Sequence, residues 1–197
     1  FEHFVKLKEI NSDNSLVFWC NTSGSTAIDF NPSPNVTNSL TSGNILAKYA
    51  PDGSYVWAKR IAVGYYKGDV AISSNGDIAI VSVTTNTSDL DPSPTNTVHP
   101  DLPDGTFGVY LAIYNSQCDF LMAKSFYGTQ GIVPTNVIFD HDNNLITAGY
   151  FWGTLDVDPG AAVVNKIAQN QDMYLIKLSS TGTLVWGNTY GGVTSDT

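Results

Sequence analysis

The stretch MYLIKLSSTGTLVWGNTY, residues 173–190, aligns without a gap onto NILAKYAPDGSYVWAKRI (44–61) and VYLAIYNSQCDFLMAKSF (109–126). Upstream of each copy lies a second matching block: SDNSLVFWCNTSG (12–24), SNGDIAIVSVTT (74–85) and HDNNLITAGYFWG (141–153). Two blocks in fixed order, three times over, make a repeat. Leu46, Leu111 and Leu175 are 65 and 64 residues apart, and Trp57, Met122 and Trp186 keep the same spacing. Asp29, Asp89 and Asp156 are spaced by 60 and 67, so length varies in the loop between the two blocks, where insertions are tolerated.

Inside each unit the apolar residues alternate with a period of two, and turn residues punctuate the runs. In the third unit this predicts strands over 136–140, 145–151, 173–178 and 183–190, with HDNN and SSTG as turns and an Asp-Pro loop in the middle. Four strands joined by hairpin turns form an antiparallel meander. A sheet apolar on both faces has to be covered on both, and packing such meanders side by side around an axis is the β-propeller solution. The expected fold is all-β: three propeller-like blades of four strands, over 1–64, 65–130 and 131–192, with 193–197 a tail or the start of a further unit. A sandwich of duplicated hairpins is the alternative.

Composition agrees with this class. Charged residues make up only 14% of the 197, and the 18 acidic residues include just two Glu. Asp accepts hydrogen bonds from nearby backbone N–H groups, so most of the acidity is turn chemistry. A formal charge of −9 with no basic stripe excludes nucleic acid as a partner class. No apolar run is long enough to span a bilayer and no signal peptide is visible, which argues against membrane insertion. The chain opens on Phe1, which suggests a trimmed product or an excerpt of something longer. Cys20 and Cys118 have no metal-ligand spacing and fall at different points of the unit, which favours buried thiols over a bridge.

The segments NGDIAIVSVTT, AGYFWGTLDVDPG and LIKLSSTGTLVWGNTYGG resemble the β-propeller repeat of secreted bacterial proteins, whose units carry Asp-x-Asp-Pro-Gly and Gly-x-x-x-Trp-Ala-Lys motifs. The resemblance spans essentially the whole chain and is strongest in the third unit. The second unit departs from it, with Gln117-Cys118-Asp119 at the Gly turn and Met122 at the Trp. It implies export and an extracellular or cell-surface setting, and carries no common catalytic activity.

Propellers usually close with four to eight blades, and three units are present here. The end sheets are therefore expected to be covered by the rest of a longer chain or by further copies stacked head to tail. Two copies would make a six-bladed ring, and an unclosed series a filament.

Three sets of residues are candidates for binding. The corner loops place Asp29 with Asn31, Asp89 with Asp91, and Asp156 with Asp158. The side chains can cap the turn's own backbone donors, or the carboxylates can contribute to a calcium site, the one cofactor the sequence suggests. Trp152, Tyr65 and Tyr66 lie beside loops and are candidates for stacking on glycans. Trp57 and Trp186 share one repeat position and are expected to pack in the core or between blades. The sequons at Asn21, Asn35 and Asn86 mark surface loops. No nucleophile elbow, zinc-protease helix or phosphate loop occurs, and the three His fall at unrelated repeat positions. The expectation is a secreted, non-enzymatic structural or adhesive module, with a lectin-like module and an enzyme on a propeller scaffold as alternatives.

Overall fold

The structure, a computed structural model, describes residues 5–10, 13–22, 27–62 and 67–193. It is all-β, and its main body is three antiparallel four-stranded sheets in chain order. The first contains β1 (Val5–Ile10), β2 (Ser15–Thr22), β5 (Gly43–Tyr49) and β6 (Tyr55–Ala62). A two-stranded ribbon, β3 (Ile28–Asp29) and β4 (Ser39–Leu40), is inserted between its second and third strands. The second sheet contains β7 (Gly68–Ile72), β8 (Ile78–Thr85), β9 (Phe107–Tyr114) and β10 (Phe120–Phe126). The third contains β11 (Gly131–Phe139), β12 (Leu145–Asp156), β13 (Asn165–Leu178) and β14 (Leu184–Tyr190). Spatial order equals chain order in all three, so each is a meander.

One turn design is reused. The hairpins close through a left-handed residue: Gly53 (φ +83°), Gly76 (φ +86°) and Gly182 (φ +80°), and also Asn14, Cys118 and Asn143, with φ between 54° and 60°. An Asx or Ser side chain caps the turn interior. Asn115 Oδ1 accepts from the Gln117 and Asp119 N–H groups, as Asp140 Oδ1 does from Asp142 and Asn144. Cys118 thus takes the backbone conformation that Gly53 and Gly182 take in the other units, with its side chain buried between the first two sheets.

The second sheet is packed between the other two, and the period-two alternation decides which side chain meets which neighbour. Leu46, Val17 and Trp19 of the first sheet meet Ile78, Ile80, Tyr110, Ala112 and Tyr114 of the second. Val81, Val109 and Leu111, on the second sheet's other face, meet Leu145, Phe151, Tyr174 and Ile176 of the third. Each sheet therefore has a leading face, toward the unit before it, and a trailing face, toward the unit after. Among the described residues the three-blade array is not a closed ring.

Three expectations need correction. In the third unit β11 and β13 begin earlier than expected, at Gly131 and Asn165, and β12 runs on to Asp156. β11 is lengthened by pairing Gly131–Val133 with Trp152–Tyr150, and β12 and β13 by a second stretch of pairing beyond a bulge, Thr154 to Asp156 with Ile167 to Asn165, which converts much of the expected loop into strand. Asn21 is not on a surface loop. It is buried in β2 on the trailing face, where its Nδ2 donates to Asn44 Oδ1 at 2.8 Å, and Asn44 in turn reaches Tyr110 Oη of the second sheet at 3.2 Å. Trp57 packs between the first and second sheets as expected, whereas Trp186 lies half-buried on the third sheet's trailing face, against which no sheet of the described residues is packed.

Candidate functional site: the acidic corners and the open sheet face

The corner loops repeat atom for atom. Asp29 Oδ1 accepts from the N–H of Asn31 at 3.0 Å and of Asn38 at 2.9 Å. Asp89 Oδ1 accepts from Asp91 and Val98, both at 3.0 Å, and Asp156 Oδ1 from Asp158 at 3.0 Å and Val164 at 2.9 Å. The second acidic position continues the chain of caps: Asn31 Oδ1 accepts from Ser33, Asp91 Oδ1 from Ser93 and Asp158 Oδ1 from Gly160, at 3.0, 2.8 and 2.8 Å. An amide at Asn31 does what carboxylates do in the other units, so the shared requirement is an acceptor oxygen. The corners also seat an apolar anchor. Phe30, Leu90 and Val157, each next after the first Asp, are buried, and Tyr49 and Tyr114 hydroxyls donate to the carbonyls of Phe30 and Leu90 at 2.8 Å.

Each pair thus uses one oxygen of each side chain on its own backbone. Among the described residues no three His, Cys, Asp or Glu side chains are grouped as metal ligands would be. The corners of the second and third units border polar clefts at the sheet junctions. One, of about 630 Å³, has Lys59, Arg60, Asp89 and Asp91 on its walls; the other, about 340 Å³, has Asp101, Tyr127, Asp156 and Asp158.

Trp152 is half-buried and meets Tyr150 edge-on, with ring centroids 6.0 Å apart at 86°. Lys67 Nζ lies 5.9 Å from the Tyr150 ring centre. Tyr150 escaped the sequence reading, although a residue two positions from Trp152 on one strand shares its face. Tyr65 and Tyr66 lie outside the described residues. Both thiols are free and buried, and burial pushes Cys20 up to about 11 and Cys118 to about 12, which removes them as nucleophiles near neutral pH. His99 Nδ1 is 2.9 Å from the Ser88 carbonyl, within the second corner.

The trailing face of the third sheet is an end face of the kind the repeat count points to, and the structure shows which side chains form it. Met173, Ile138 and Tyr190 are 45%, 52% and 51% exposed there. With Ala148, Tyr150 and Leu175, Met173 and Tyr190 line a groove of about 300 Å³. The positions equivalent to Tyr190 in the other two units are Ile61 and Phe126, both buried, and those equivalent to Leu175 are Leu46 and Leu111, both fully buried.

The fold and its corners define a propeller-like array of blades. No family model and no curated protein matches the sequence.

Proposed function

We propose that this protein is a non-enzymatic structural or adhesive propeller module of the cell exterior that works within a larger array of blades. The observation that carries the reading is the trailing face of the third sheet. Its apolar side chains occupy the repeat positions that are covered at both internal junctions, yet remain half-buried or exposed. Covering apolar surface contributes on the order of 25 cal/mol per Å², so such a face favours a further blade. The extracellular setting rests on the likeness of the repeats to those of secreted bacterial proteins. Light scattering on the purified 197-residue chain tests the reading: oligomers are expected, and a well-folded monomer at all concentrations would overturn it.

The Tyr150–Trp152 pair, with Lys67 beside it, favours one second reading, a glycan-binding module. Screening against a glycan array separates the two, since a scaffold shows no selective binding.

A further inference from the structure

The cleft of about 630 Å³ at the first junction lies along the outer strand β6, between strand β4 of the ribbon and the corner loop of the second unit. Its walls carry two cations and two carboxylates, and three of these four groups are engaged. Asp89 and Asp91 each commit one oxygen to backbone N–H groups, and Lys59 is tied to the Cys118 carbonyl at 3.2 Å and to Asp119 at 3.4 Å. The exposed Arg60 side chain has neither an ion pair nor a hydrogen bond among the described residues. Its stem is nonetheless placed. A Cβ built on Gly43 would lie 3.1 Å from Arg60 Cδ and 3.2 Å from Cγ, so the stem lies over the bare backbone of Gly43 and the guanidinium stands at the cleft wall. The corresponding cleft at the second junction is different in charge. Ser125 stands at the Arg60 position, and Asp101 joins Asp156 and Asp158 with no Lys or Arg on the walls. In a chain of formal charge −9, Arg60 is what balances the first cleft.

The rest of the wall is neutral and mostly polar. Ser39, Thr41, Asn96 and Thr97 are exposed, and their side chains have no hydrogen-bond partner among the described residues. Leu40 is the largest apolar side chain lining the cleft, so nothing there is shaped to take the apolar anchor of a protein partner. Pro92 and Pro94 offer rigid C–H surface instead. From this we infer that the cleft binds an acidic sugar. The Arg60 guanidinium takes the oxyanion in a two-pronged contact, to which its planar fork is suited. Ring hydroxyls, which both donate and accept, bond the four neutral side chains and donate to the uncommitted oxygens of Asp89 and Asp91, while the C–H face of the ring rests on the prolines. The volume falls within the roughly 300–1,000 Å³ of small-molecule sites. The carboxylate of a uronic acid and the sulfate of a sulfated sugar share this chemistry, and the test separates them. The site is distinct from the Tyr150–Trp152 pair, and the inference goes beyond the assembling-module reading without depending on it.

The test is isothermal titration calorimetry on the whole 197-residue protein with three probes. These are a galacturonic acid trisaccharide, its methyl ester, which keeps the hydroxyls without the charge, and a sulfated galactose trisaccharide. At least one acidic probe is expected to bind, and which one does identifies the oxyanion. The methyl ester is expected to bind about tenfold more weakly or not at all. Arg60→Ala is expected to weaken the acidic probe about tenfold or more, through loss of a charge-assisted contact, and Arg60→Lys, which keeps the charge without the fork, by less. Ser125→Ala, at the same repeat position in the second unit, is expected to leave the affinity unchanged. The Arg60 side chain is exposed, so both variants are expected to fold, and their melting temperatures check this. Failure of both acidic probes to bind at millimolar concentration would overturn the inference. So would equal binding of acid and ester, or an affinity that Arg60→Ala does not move. None of these results alters the mass of the unmodified protein, by which the assembling-module reading is judged.

Discussion

Lys177 Nζ lies 2.6 Å from Asp140 Oδ2, so a lysine on the third strand of the third sheet holds the turn between its first two strands. Lys48, at the same repeat position, reaches Asp13 Oδ2 at 3.0 Å in the first sheet. In the second sheet this position is Ile113, buried against the third, and the tie is missing. The Lys177 ammonium, followed by the Asn144 amide, holds the Asp140 carboxyl well below its ordinary value. The Ser15 hydroxyl and N–H, with Lys48, bring Asp13 to about 2. Both folded pKa values lie below the unfolded value of 3.8, so this stability is complete above about pH 4 and is lost as pH falls toward 2. A melting series from pH 7 to pH 2 is expected to be level above pH 5 and to fall below pH 4. Asp140→Asn is expected to flatten part of that fall, and an unchanged acid limb would refute the pairing.

The corner caps give a second prediction. Asp158→Asn reproduces the arrangement already present at Asn31 and is expected to leave the melting temperature within a degree or two. Asp158→Ala removes an acceptor from the Gly160 N–H and is expected to cost about 1 kcal/mol. Asp156→Ala leaves two N–H groups without their acceptor and is expected to cost more than Asp158→Ala. Chelation by EDTA is expected to leave the wild-type melting temperature unmoved. If Asp158→Asn and EDTA lower it together, the corners bind a cation.

How much of this was legible beforehand follows from what a linear sequence encodes. Period-two alternation, the gapless second block and the turn residues specify four strands and their order, because strand pairing in a meander is local. The corners were legible as motifs, and their two readings separate only when the N–H partners are seen: Asn38, Val98 and Val164 lie eight or nine residues from their acceptors. The β12–β13 extension was hidden because Asp158-Pro159-Gly160 reads as a loop, and the pairing of Thr154–Asp156 with Asn165–Ile167 across it lies beyond a bulge that alternation alone does not place. Asn21 misled because a sequon reads as surface, whereas its amide is buried by pairing with Asn44, a partner that only sheet register supplies.

The buried thiols and phenols set an alkaline limb. Desolvation raises Cys20 to about 11 and Cys118 to about 12, and pushes Tyr110, Tyr114 and Tyr174 up as well. Their folded pKa values exceed the unfolded ones, so the stability they carry is complete below about pH 9 and is lost as pH rises through the folded values. Native protein is expected to react with a thiol reagent at pH 8 only on the timescale of unfolding, and both cysteines to react at once in denaturant. Rapid modification of either one in the folded state would contradict its burial.

Gly149 marks where the third sheet tolerates no side chain at all. A Cβ built there would lie 2.1 Å from the Val133 carbonyl oxygen and 2.8 Å from the Tyr174 ring and hydroxyl. The carbonyl belongs to the paired strand β11 and cannot swing aside without breaking the ladder, and Tyr174 is held between the second and third sheets. Relief requires the β11–β12 pair to separate locally. Gly149→Ala is therefore expected to destabilise by at least the 1–3 kcal/mol typical of overpacking, about the range seen when a packed core must take an extra methyl group. Gly192→Ala, with open space around it, serves as the control and is expected to be neutral. Denaturant melts of the two variants decide the matter. Equal midpoints would mean that β12 does not approach β11 and Tyr174 as closely as this packing requires.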